Sequence, residues 1–213
     1  MSRKEFWWAA RAVAVLVLVS GAGALAVAQA PMPDHFSGIV NEYTAAHNSA
    51  GNVVGPYEIR GKWNIRIDRR TGTADFSAYV TMEFSDYWID LTSTANADDP
   101  STRGAHTHTI SMTDVAISSD TSNCPKYSPA TSGGFMLMGP AHVTGNGDTA
   151  PFEKKSGPSE LQVCVTGGPA LPYSNITLAF SDKSPAAGHF GSQAIHGAVR
   201  PPRADDEDVQ DGH

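Results

Sequence analysis

Positive charge is scarce in this chain: 15 Lys and Arg stand against 22 Asp and Glu over 213 residues. Arg3, Lys4 and Arg11 lie in the first segment beside Glu5, so the chain after position 28 has 12 basic and 21 acidic residues, a net charge of −9. That balance argues against nucleic acid and against an anionic membrane surface as partners, since both are bound through basic patches. Cysteine is almost absent, with Cys124 and Cys164 the only two. No Cys-x-x-Cys spacing presents a pair of thiolates to a metal. A Gly-x-Ser-x-Gly nucleophile elbow is missing, as is any Gly-rich loop that cradles phosphate. The acids form no pair that spacing places on one face, and no internal repeat is present. Nucleophilic, nucleotide-dependent and glycosidic chemistry therefore lack their usual signatures.

Long apolar runs are also missing, with one exception at the start. Residues 12–28 are almost wholly apolar, follow the basic residues and end in the small residues Ala26-Val27-Ala28. A basic stretch, an apolar core and an Ala-x-Ala exit describe a secretory signal peptide over residues 1–28. A second exit, Ala28-Gln29-Ala30, would leave Pro31 first, so cleavage after Ala28 is preferred and the mature chain is expected to begin at Gln29. The alternative is a retained anchor helix, because the run approaches the length that spans a thin bilayer. No stable membrane span is expected after processing. Export to the periplasm or the extracellular space follows, and there an isolated cysteine pair is most simply a disulfide. A Cys124–Cys164 bond closes a loop of about 40 residues and stabilises the fold by about 4 kcal/mol on the chain-entropy argument.

What the chain does have is alternation. Residues 29–54 read as an irregular lead-in, in which 39–46 has at most the composition of a short helical turn. From Tyr57, the odd positions Tyr57, Ile59, Trp63, Ile65 and Ile67 are apolar between polar even ones. Gly61 interrupts the row and marks a bulge or a close backbone approach. After the turn at Arg69-Arg70-Thr71-Gly72 the parity inverts, with Ala74, Phe76, Ala78, Val80, Met82 and Phe84 apolar. Two such runs joined by a short Gly-containing loop form a β-hairpin. Residues 86–92 read as a short strand or packed corner, and 93–104 as a loop. Further strands are expected over 135–144, bent at Gly139-Pro140, over 161–165 with Cys164 facing away from the apolar row, over 176–180 and over 193–199. Asn146-Gly147 is a turn signal. Residues 200–213 hold five acids and read as a disordered acidic tail. The fold class is therefore all-β, with about seven or eight strands in a single domain over 55–199, an antiparallel sandwich or a small barrel.

The strand with chemistry in it begins at His106. Thr107, Thr109, Ser111 and Thr113 fall on one face, and His106, His108, Ile110 and Met112 on the other, dry one. Two histidines two positions apart point the same way, with Cα atoms about 6.6 Å apart. A buried imidazole needs partners for both nitrogens, and a metal ion supplies one of them. Zinc, copper, manganese and iron are all held by such pairs with a third ligand from elsewhere. His189 is the first candidate, because Gly188 and Gly191 leave its orientation free of any pleat. His196 follows, since Ile195 and Val199 define the apolar face there and put it on the wrong side, and His142 comes last. Val115 and Ile117 shift the apolar register after Thr113-Asp114, which a bulge explains.

His106-Thr107-His108, Asp114, Gly134, Pro140, His142 and Asn146 together resemble the two motifs of the cupins. The resemblance implies a metal in a jelly-roll barrel, held by His106, His108, Asp114 and His142. It departs from the family pattern in having Asp where Glu is usual, late by one or two residues, and in the residues between the proline and the histidine. Three functional readings follow: an exported β-domain that binds a divalent metal or small ligand through His106 and His108, an envelope or interaction module whose histidines are structural, and a cupin-like metal-dependent enzyme.

Overall fold

The hairpin expected from the two alternating runs is the broadest piece of the sheet. In the computed structural model, which describes residues 32–47, 53–84, 105–124, 134–168, 171, 173–191 and 193–201, it consists of β2 (Val53–Asp68) and β3 (Thr73–Phe84). Its ladder runs unbroken from Tyr57↔Phe84 to Asp68↔Thr73. Gly61 marks a close approach, not a bulge: it pairs with Val80, and a Cβ there would lie 2.1 Å from the Tyr79 carbonyl oxygen. Gly72 takes the left-handed conformation that the turn needs, with φ 71°.

The segment 29–54, expected to be irregular, instead carries β1 (His35–His47), which pairs with β2 along most of its length. The strand escapes a pattern search because its faces are inverted in size. Phe36, Gly38, Val40 and Thr44 face inward and are buried, while the large Ile39 and Tyr43 stay outside, each 49% exposed. The remaining elements are β4 (His106–Ser118), β5 (Gly134–Gly145), β6 (Asp148–Thr149), α1 (Pro151–Ser156), β7 (Ser159–Thr166), β8 (Asn175–Phe180), α2 (Ala187–Phe190) and β9 (Ile195–Val199). Every pairing is antiparallel. The sheet order β4-β3-β2-β1-β9-β8-β7-β5-β6 is joined back on itself by a β4–β5 pairing. Eight strands therefore close into an up-and-down barrel, with β6 as one short extra strand on β5. This settles the choice between sandwich and barrel, and it is not the paired Greek key of a jelly roll.

An eight-stranded ring has an interior just wide enough for side chains to fill. Ile59, Trp63, Phe76, Ile110, Leu137 and Val163 fill it here, each 2% exposed or less. The expected bulge on β4 is present: Phe76 pairs with Met112 and Ala74 with Val115, so Thr113 and Asp114 together face Asp75. Asp114 takes φ 53°, and its N–H donates to Asp75 Oδ1 at 2.9 Å. β5 pairs β7 over eight residues but meets β4 only at Ile110–Ser111 and Ile117–Ser118, so Pro140 sits where no β4 partner asks for its missing N–H. Cys164 faces outward from β7 and is joined to Cys124, with Cα atoms 5.9 Å apart. Among the described residues no helix is long and apolar enough to cross a membrane. Residues 1–28, 86–104 and the tail beyond Pro201 lie outside the described residues.

Candidate metal centre

At one end of the barrel, where β4 begins and β1 and β8 finish, the short helix α2 enters the lumen. Its start is held by the Ala186 N–H, which donates to the buried Ser159 hydroxyl on β7 at 3.1 Å. Its end is held by the Thr44 hydroxyl of β1, which donates to the Phe190 carbonyl. The Phe190 ring is fully buried, stacked on Phe180 of β8 at 5.1 Å and edge-on to His108 of β4 at 4.9 Å. The ring thus touches two strands that are not neighbours, with β7 and β5 between them, and so fills this end of the lumen like a plug. The residue before it on α2 is His189.

That plug brings His189 to the histidine strand. Its Nε2 lies 2.9 Å from His108 Nε2 and 3.1 Å from His106 Nε2. One ligand atom from each of the three residues lies within 4.8 Å of the others. The rings meet edge to face, with centroids 4.8 to 5.2 Å apart, and Phe152 of α1 adds an apolar wall at 5.6 Å from His189. The parity of the strand explains half of this, since His106 and His108 both enter the inward face. The helix supplies the rest.

The protons on these rings can be assigned in part. His108 Nδ1 lies 2.5 Å from the Thr144 carbonyl oxygen. A carbonyl has no proton to give, so Nδ1 carries the hydrogen and donates it. Burial pushes the His108 pKa down to about 4, against which the Thr144 bond acts and with which the His106 charge acts. His108 is therefore neutral near pH 7, and its Nε2 lone pair faces the cluster. Burial, aided by the charges of His108 and His106, likewise pushes His189 down to about 3. The His108 Nε2 lone pair therefore faces the His189 Nε2, which lies between the two strand histidines. A tetrahedral zinc at about 2.0–2.1 Å from each nitrogen would space them by about 3.3 Å, close to the separations of 2.9 and 3.1 Å that His189 makes with His108 and His106.

The other candidates stand elsewhere. His142 is on the outer face of β5, opposite Ser111, and its Nδ1 meets Glu153 Oε1 of α1 at 2.6 Å. His196 pairs with Glu42 of β1 at 2.6 Å and does not join the three-histidine group. Asp114 is exposed at the bulge. The ligand set implied by the cupin resemblance, His106 and His108 with Asp114 and His142, is therefore not assembled, and the strand order differs from a jelly roll as well. Thr144, Glu153 and Phe190 went unnoticed in the sequence. Of these, Glu153 had a readable signal, because Pro151, Glu153, Lys154 and Lys155 are a proline start, an acid in the first turn and bases in the last. Asn175-Ile176-Thr177, formally a glycosylation sequon, is built into β8 with Thr177 buried. Comparison with protein-family models, curated proteins and solved structures found no match, so the functional argument rests on this geometry.

Proposed function

We propose that the protein is an exported β-barrel whose role is to bind a transition-metal ion through the Nε2 atoms of His106, His108 and His189. The observation that carries this is the convergence of three nitrogens from β4 and α2 on one point, with the His108 lone pair aimed at it by its bond to Thr144. The set is all imidazole, with neither carboxylate nor thiolate in the group. Such a set suits zinc and copper best, and manganese, which prefers oxygen ligands, least. With three protein ligands, a fourth position stays open to water or a small ligand. Export is supported by the basic, apolar and Ala-x-Ala start of the chain and by the Cys124–Cys164 bond.

The test is thermal melting of untagged protein with zinc, with copper and with chelator. Stabilisation by a bound ion is about 2.7 kcal/mol at a free concentration 100 times Kd. His106→Ala, His108→Ala and His189→Ala should each abolish most of the ion-dependent rise in Tm, while His196→Ala and His142→Ala keep it. Histidines that serve only as packing would lower Tm equally with ion and with chelator. A wild-type melt indifferent to every ion tried would end the proposal.

A further inference from the structure

The part of β4 that carries the ligands has run out of strand to pair with on its β5 side. Toward the plugged end the last β4–β5 residue pair is Ile110↔Val143, yet His108 and His106 lie two and four residues further on. The backbone of this overhang is taken up by the end of β5 and the turn that follows it. Thr109 N–H donates to the Thr144 hydroxyl at 2.9 Å. Thr107 N–H donates to Asn146 Oδ1 at 3.0 Å, and the Thr107 carbonyl accepts the Asn146 N–H at 2.7 Å. Asn146 makes both bonds from a left-handed conformation, φ 52°, which asparagine tolerates better than most residues. Thr144 contributes a second time, since its carbonyl accepts His108 Nδ1–H. Thr107 and Thr109 bracket His108, and Thr107 separates it from His106. The side chains of Thr144, near the end of β5, and of Asn146, in the turn after it, therefore fix the backbone on which both strand ligands stand, and the Thr144 carbonyl also selects the tautomer of His108.

We propose that Thr144 and Asn146 are the positioning residues of the metal site, holding His106 and His108 in place for the ion without touching it. A ligand whose partner group sets its tautomer and orientation binds better because less is left to be ordered on binding. The proposal rests on the ion-binding reading above, and it adds that affinity is set at the end of β5 and in the turn after it.

The experiment is a competition titration of zinc between a chromophoric chelator and the untagged full chain. Thr144→Val keeps the branched shape and the carbonyl but removes the hydroxyl. Asn146→Gly keeps the left-handed backbone and removes the Oδ1 acceptor. Each should raise Kd about tenfold or more, whereas Thr144→Ser and Asn146→Asp, which keep the acceptors, should stay within about threefold of wild type. In the ion-free protein, imidazole ¹⁵N spectra should show His108 wholly as the Nδ1–H tautomer, in Thr144→Val as in wild type, because the Thr144 carbonyl is kept. Variants that melt lower without ion but bind zinc as tightly as wild type would overturn the positioning role and leave the ion site standing. A wild-type chain that binds neither zinc nor copper would overturn both.

Discussion

Two of the three histidines, His108 and His189, are set apart by what burial does to their charge. His108, 3% exposed, is held near pKa 4 and His189 near 3, both below the ordinary 6.5, with burial the largest cause in each case. The sign of the consequence follows from proton counting. Below pH 6.5 the unfolded chain takes up protons on these two residues while the folded chain does not, so acid favours unfolding. Ion-free protein should keep its full stability above about pH 6.5 and lose it as pH falls toward 4 and then 3. Urea unfolding of ion-free protein between pH 7 and pH 4 checks this, and His189→Gln should flatten the profile. Zinc affinity of the folded protein should fall only as pH nears 4 and then 3, where the protons begin to compete with the ion for the nitrogens of His108 and His189. A wild-type profile as flat as that of the variant would contradict the burial of His189.

At the scale of elements, the site joins a strand to a helix of only four residues. α2 is anchored by Ser159 and Thr44 at its two ends, and the ion would add a third tie from inside the lumen. Its amides His189 and Phe190 bond to the Ala186 carbonyl at 3.0 and 2.9 Å. Zinc at 100 times Kd should slow their hydrogen exchange about a hundredfold, since opening α2 must release the ion. His189→Ala should show no such slowing. This element left little trace in the sequence: Gly188-His189-Phe190-Gly191 reads as flexible, and four residues are too few for helical periodicity. β1 was hidden for a different reason. Burial in a lumen depends on which face a residue occupies, and here Gly38 and Thr44 occupy the inner face while Ile39 and Tyr43 take the outer one. By contrast, β2 from Tyr57 and β3 were legible from the alternation, because their inner rows are apolar apart from Gly61.

For the whole molecule, closure of the ring removes exposed sheet edges, and the disulfide ties the segment after β4 to the outer wall on β7. Reduction should lower the stability by about 4 kcal/mol, since it releases a loop of about 40 residues in the unfolded chain. Urea unfolding with and without reductant measures this, and Cys124→Ser should reproduce the reduced curve. If the chain is exported as proposed, the intact mass of the secreted protein should correspond to a start at Gln29; a mass that includes Met1 would contradict processing.

The amino-acid sequence by itself determined the all-β class, the β2–β3 hairpin, the bulge at Thr113–Asp114 and the shared face of His106 and His108. Each of these is a matter of alternation along a single strand, and a pleat converts order in the chain directly into side-chain direction. It also placed His196 away from that face, for the same reason. The cysteine pairing was legible because only one pair exists. Tertiary structure alone decided that the sheet closes between β4 and β5, and that α2 turns into the lumen to bring His189 within 3.1 Å of residues more than 80 positions earlier. It alone decided that Thr144 and Asn146 complete the backbone of β4. Those relations depend on which strands become neighbours, and no local period in the chain encodes a neighbour.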